Sequence, residues 1–265
     1  MVKREAKVLI PVGFGLNCER ETENAFIEAG AEKVKKIHIN DIIENNNIIK
    51  KYNIIAFIGG FSFGDHVSAG KVLANKLKYR LKKEIESFVK KQNLIIGICN
   101  GFQMLVKMGL LPLSENKFFK QEATLIENKC EHYYDGWVKL KINKESPSIF
   151  TKNMEYIELP VRHGEGRIKF LNEDILNRLI DHNQIVLQYV DKNNNVTDKF
   201  PENPNGSIRG IAGICDKTGH IFGLMPHPEA YINPYMYPNW KHIERKSYGD
   251  GYQIFKNCVD YIKKR

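Results

Sequence analysis

The sequence predicts an α/β fold, a central, mostly parallel sheet flanked by helices, with antiparallel strands added by the C-terminal half. Three observations predict it. Short β-rich apolar runs alternate with helical patterns over residues 7–112, as a parallel sheet covered on both faces requires. After residue 120 the runs come with polar, turn-rich connectors, which suit antiparallel or edge strands extending the same sheet. The length of 265 residues lies near the upper limit for one core, and no repeat or linker interrupts it, so 1–265 is read as a single domain.

Taken in order, "KVLIPV" (7–12) is a first strand. Basic residues precede it, as in a secretion signal, but its apolar stretch is short, contains Pro11 and lacks a small-residue cleavage site, so a strand is expected. A helical pattern over about 19–30 leads to "KIHI" (36–39), and "IIAFI" (54–58) is the third strand. The next helix, within 68–91, has Leu77, Leu81, Ile85 and Phe88 on one face and lysines on the other. "LIIGI" (94–98) feeds directly into a helix of about two turns that stops near Gly109 and Pro112. Five later runs, at 137–142, 156–161, 185–190, 211–215 and 220–225, read as strands, and an amphipathic helix runs from about Tyr252 to Lys263. The connectors 191–207 and 230–251 are read as ordered surface loops, the second aromatic enough to dock a partner.

Forty Lys and Arg against 31 Asp and Glu give a net charge of +9, which raises nucleic-acid binding. The densest basic stretch (76–91) is broken by acidic residues and lies outside an apolar helical stripe, so no nucleic acid is expected. No run approaches the roughly 18 apolar residues of a membrane helix, so no membrane is expected either. Cys18, Cys99, Cys130, Cys215 and Cys258 are odd in number, scattered and without C-x-x-C spacing. That usage suits a reducing, cytoplasmic location better than a disulfide framework.

The chemistry concentrates in "GICNGFQML" (97–105), where a cysteine stands between two glycines as strand becomes helix. A sharp strand-to-helix turn exposes its central side chain, and glycine is needed where neighbouring backbone crowds in. A helix N-terminus also favours thiolate over thiol. The competing reading is a cysteine that merely packs under the helix. A nucleophile needs a base and the base an orienting group, and "GLMPHPEAY" (223–231) supplies His227 and Glu229 just past the last strand. In extended chain, residues i and i+2 point the same way, which would pair them. For the oxyanion, "IGGFSFGD" (58–65) offers Gly60, to act with the N–H of Asn100; Asp65 is alternatively a helix cap. H-P-E is too short for a familiar pair of metal ligands, and no metal is expected.

With Cys99, His227 and Glu229 together, the sequence resembles the class I (triad) glutamine amidotransferases, whose fold is flavodoxin-like. Among them it is most similar to the glutaminase subunits of phosphoribosylformylglycinamidine synthase. "GLNCERE" (15–21), "GGFSFGD" (59–65), "GICNGFQMLVKMGLLP" (97–112), "PVRHGEG" (160–166), "NPNGS" (203–207) with "IAGI" (211–214), and "GLMPHPE" (223–229) carry the likeness across nearly the whole chain. Ile58, where the family usually has proline, is a departure.

The resemblance implies that Cys99 attacks L-glutamine, that His227 acts as base and then acid, and that Glu229 orients it. It further implies that Gln103, one helical turn beyond Cys99, binds glutamine, the alternative being that it caps or packs locally. His163 and Glu165 in "HGEG" either line the glutamine pocket or the ammonia exit, or form a purely structural loop. The implied partner is a synthetase subunit that uses ATP and magnesium, with a small third subunit; this chain needs no cofactor of its own. Cys18, at the end of the first strand, could approach the site, but is expected to be a packed or interface cysteine.

Overall fold

Val8, Leu9 and Ile10 are all buried in β1 (Lys7–Val12), because a strand covered by helices on both faces has no polar side. The computed structural model, which describes residues 4–115, 117–242 and 247–265, places this strand second in a nine-stranded sheet. On one side β1 pairs in parallel with β2 (Lys33–His38), on the other with β3 (Ile54–Phe57). β3 pairs in parallel with β4 (Leu94–Ile98). Between these strands lie α1 (Glu19–Glu28), a short α2 (Ile39–Glu44) and α3 (Lys71–Lys90). Then α4 (Asn100–Met108) follows β4 after a single residue.

The C-terminal half departs from expectation at one instructive point. After β5 (Ala123–Ile126), β6 (Tyr134–Ile142), β7 (Tyr156–His163), β8 (Arg167–Phe170), α5 (Glu173–Asp181), β9 (Ile185–Tyr189) and β10 (Ile211–Cys215) comes β11 (Ile221–Leu224). Residues 220–225 were expected at an edge or in antiparallel pairing. On one side β11 does pair antiparallel, with β10, but on the other it is the fifth strand of the parallel set, beside β4 with Ile221 opposite Ile95 and Leu224 opposite Ile98, so it lies inside the sheet and not at its edge. All four of its side-chain positions are buried, as a central strand requires. Gly223 makes the seat possible: a β-carbon there would stand 2.1 Å from the Phe102 ring of α4.

The remaining strands extend the sheet by antiparallel pairing in the order β10, β9, β6, β7, as expected. β5 and β8, absent from the sequence reading, form a separate two-stranded antiparallel ribbon. The second run ends at His38 because its imidazole turns back to accept from the Asn40 N–H and caps α2. Helix α5, also unforeseen, is capped by Asn172 and buries Ile175, Leu176 and Leu179. The last helix, α6 (Tyr252–Lys263), lies against α1 through the edge-on pair Phe26–Phe255. No helix among the described residues is long and apolar enough to cross a membrane.

The aromatic connector 230–251 lies partly outside the described residues. Of those described, Tyr231 and Ile232 are buried, while Tyr235, Met236, Trp240 and Tyr248 are exposed.

Candidate active site

The sheet's order brings the catalytic candidates together, since Cys99 immediately follows β4 and His227 lies three residues beyond the end of its neighbour β11. The Cys99 N–H donates to the Leu224 carbonyl at 2.8 Å, locking the two strand ends in register. Cys99 adopts φ 51° and ψ −108°, a strained conformation for a residue with a β-carbon and the one a nucleophile elbow imposes. Its glycine neighbours are required for the reason anticipated. A β-carbon on Gly101 would stand 2.0 Å from the Phe57 carbonyl oxygen, and one on Gly97 would stand 2.8 Å from the Gly101 oxygen.

His227 is buried and is held from behind, its N–H donating to Pro160 of β7 at 2.8 Å. Its Nδ1 lies 2.6 Å from Oε1 of Glu229, which is 0 % exposed. The expected pair thus forms, but by a different route. Residues 228–230 make a 3-10 turn, so the carboxylate curls back to the ring and does not reach it along an extended strand. Burial works against charging this imidazole, yet the Glu229 carboxylate, followed by the sulfurs of Cys99 and Cys18, outweighs it. The result is a histidine whose pKa stands well above the ordinary 6.5, so the site favours the protonated ring beside Cys99.

Cys18, expected to be a packing residue, belongs to this cluster. It sits just before α1, and its Sγ lies 3.0 Å from the point a Gly59 β-carbon would occupy, which is itself 2.8 Å from Cε1 of His227. Burial raises its thiol pKa, opposed by a hydrogen bond with His227. Ligating atoms of Cys18, His227 and Glu229 all lie within 4.8 Å of one another.

The loop expected to receive the oxyanion crosses the same place. Asn17 donates to the Gly59 carbonyl and Phe61 to the Gly15 carbonyl, which pins Gly60 at φ 138° with no space for a β-carbon. Among the described residues, neither the Gly60 N–H nor the Asn100 N–H finds an acceptor. The Asn100 side chain ties this loop to α4. Its Oδ1 accepts from the Ser62 N–H, and its Nδ2 donates to Asp65 at 2.9 Å and to Oε1 of Gln103 at 2.9 Å. Asp65 therefore braces Asn100.

Gln103 is fully engaged within the protein: while Oε1 accepts from Asn100, Nε2 donates to the Glu165 carbonyl. The Glu165 carboxylate accepts from Ser68 Oγ and the Ala69 N–H and lies 3.5 Å from Lys107, an ammonium that is itself buried. These residues cross-brace α4, the approach to α3 and the 163–166 loop.

His163 is buried behind the site, with Nδ1 donating to Asn128 Oδ1 at 3.1 Å. Burial, with the charge on His227 as a lesser cause, pushes its pKa down to about 3. Because an unfolded histidine titrates near 6.5, the unfolded chain binds more protons between about pH 6.5 and 3, and stability falls as pH drops through that window. The slope from this group reaches about 1.4 kcal/mol per pH unit. His163→Asn keeps a donor for Asn128 without a titrating ring. Urea unfolding of the variant should depend less steeply on pH between 6.5 and 3, and equal slopes for the two chains would refute the assignment.

Comparison with known proteins gives the chain its family. The profile of the CobB/CobQ-like glutamine amidotransferase domain matches residues 5–262. The chain is 41 % identical over 276 residues, covering 100 % of both, to phosphoribosylformylglycinamidine synthase subunit PurQ of Methanococcus maripaludis. It is 39 % identical to PurQ of Dehalococcoides mccartyi, covering 98 % of each chain. Among solved structures, a chain of PurLQS from Thermotoga maritima superimposes with a TM-score of 0.71 at 28 % identity, covering 98 % of this chain and 100 % of that one. A strained cysteine at one strand end and a paired histidine at the next are thus found in a chain that belongs to the CobB/CobQ-like glutamine amidotransferase family, among the PurQ subunits of phosphoribosylformylglycinamidine synthase.

Proposed function

We propose that the chain, acting as one amidotransferase domain over 1–265, hydrolyses L-glutamine to glutamate and ammonia through Cys99, His227 and Glu229. The ammonia passes to a synthetase subunit that converts the formylglycinamide ribotide to its amidine with ATP and magnesium, in a cytoplasmic complex with a small third subunit. The observation that carries this reading is the buried His227–Glu229 pair set against a cysteine held in a strained elbow. Full-length likeness to PurQ chains supports the choice of acceptor.

In the first half-reaction the Cys99 sulfur attacks the side-chain amide carbon of glutamine. The negative charge that develops on oxygen is met by the N–H groups of Gly60 and Asn100. The imidazolium of His227 gives its proton to the amide nitrogen as the C–N bond breaks, releasing ammonia and leaving a γ-glutamyl thioester. In the second half-reaction His227 takes a proton from water, the hydroxide attacks the thioester carbon, and the thiolate departs as glutamate forms. Glu229 keeps the ring oriented and stabilises its charged form in both. Gln103, His163 and Glu165 hold the loops that shape the glutamine pocket.

Reconstitution tests the reading. The chain mixed with the synthetase subunits, ATP, magnesium and the formylglycinamide ribotide should form amidine from glutamine, and omitting the chain should restrict formation to added ammonia. Amidine formation from glutamine without this chain, or its failure in the complete mixture while ammonia still serves, would overturn the proposal.

A further inference from the structure

The geometry points to a second property of the same cluster, a binding site for a thiophilic divalent cation such as Zn²⁺, formed by Cys18, His227 and Glu229. Their ligating atoms lie within 4.8 Å of one another, and the three residues are 7 %, 2 % and 0 % exposed. Ligands around tetrahedral zinc stand about 3.5 Å apart, given zinc–sulfur and zinc–nitrogen bonds of about 2.3 and 2.0 Å. Side-chain adjustments of little more than about 1 Å therefore suffice.

The donor set is also chemically apt. Sulfur, imidazole nitrogen and carboxylate oxygen suit Zn²⁺ and not Mg²⁺ or Ca²⁺, which prefer all-oxygen sites. One carboxylate oxygen is available, since Glu229 Oε2 is buried and has no hydrogen-bond partner among the described residues. On binding, the Cys18 thiol and the protonated His227–Glu229 pair release two protons to solvent as the zinc–sulfur and zinc–nitrogen bonds form. The thiolate and carboxylate then neutralise the cation, so no net charge is buried.

Occupancy would take His227 and Glu229 out of catalysis and stop glutamine hydrolysis. That consequence rests on the proposed function; the site does not. Gly59 explains why the cluster can close, since any β-carbon there would lie between Cys18 and the ring.

Titration of the full chain with Co²⁺, a spectroscopic substitute for Zn²⁺, tests the site. One equivalent should produce a sulfur-to-cobalt charge-transfer band that Zn²⁺ displaces, present in the unaltered chain, in Cys99→Ser and in Cys130→Ser. Cys18→Ser and Cys18→Ala should lose the band and weaken binding at least about tenfold. No stoichiometric band in the unaltered chain, or a band that survives both Cys18 replacements, would overturn the inference. The unaltered chain gives a readout that needs no variant: Zn²⁺ should slow alkylation of Cys18 and not of Cys130, and equal rates with and without Zn²⁺ count against the site. A chain that binds Co²⁺ through Cys18 yet never hydrolyses glutamine would refute the glutaminase reading and leave the cation site standing.

Discussion

Cys99→Ala is expected to lower glutamine hydrolysis at least about 10³-fold while leaving the chain folded, because the thioester route disappears with the sulfur. His227 and Glu229 remain paired, but water held loosely where the sulfur stood is a poor substitute for a nucleophile fixed at the strand end. What survives is the small acceleration available from the oxyanion donors and binding alone. Cys99→Ser should do little better, since a hydroxyl gives up its proton far less readily than a thiol. Cys18 makes the assignment worth mapping, because it is a second thiol against the same imidazole. A glutamine-analogue electrophile should attach to Cys99 in the unaltered chain and to nothing in Cys99→Ala. An adduct on Cys18, or full turnover by the alanine variant, would move the nucleophile elsewhere.

The second large effect is structural. Gly101→Ala is expected to destabilise the protein by about 3 kcal/mol or more, because its β-carbon would fall 2.0 Å from the oxygen and 2.5 Å from the carbon of the Phe57 carbonyl. Both are backbone atoms of a central strand and cannot swing aside as a side chain could. Either α4 lifts or β3 bends, and each shift moves Cys99. For a chain of this size the loss corresponds to a melting temperature lower by about 6–12 °C. Gly164→Ala is the matched control, since the nearest atom to its β-carbon is a Tyr133 ring carbon 4.0 Å away. It should change stability by no more than about 0.5 kcal/mol. Thermal unfolding of the two variants side by side decides the matter, and equal midpoints would show that α4 is free to retreat.

How much of this was legible beforehand follows from the range of each signal. The strands β1, β3 and β4 announce themselves as apolar runs because both faces of each are covered, whereas the edge strand β2 (KVKKIH) is largely exposed and shows only its last apolar residues; the elbow announces itself through the glycines on either side of Cys99. The position of β11 was not legible. "IFGL" reads the same at an edge as in the middle of a sheet, and pairing order is decided by which partners bury it best. β5 and β8 have four residues each with alternating burial, too few for a periodicity to stand out from a loop. Helix α5 did carry a readable signal, Asn172 as cap and three apolar residues on one face, that the sequence reading passed over.

At the site, local spacing suggested that His227 and Glu229 would pair, and the two side chains are hydrogen-bonded, although the turn that joins them is helical in character. Cys18 was legible only as a residue whose place at the end of the first strand could bring it near the site, because nothing in the local pattern links a residue before α1 to one after β11. Gln103 shows the limit from the other side. Its helical position aimed it toward the site, but which atoms its amide satisfies depends on Asn100 and on the main chain at Glu165.

The insertion of β11 beside β4 also fixes the order in which competence can arise. A nascent polypeptide that has emerged from the ribosome as far as residue 220 already holds the sulfur and the oxyanion turn, but has neither the strand that carries the imidazole nor the neighbour that receives the Cys99 amide. On the proposed assignment such a fragment cannot liberate ammonia, so activity waits until the last strand of the sheet has been threaded between two that are already made.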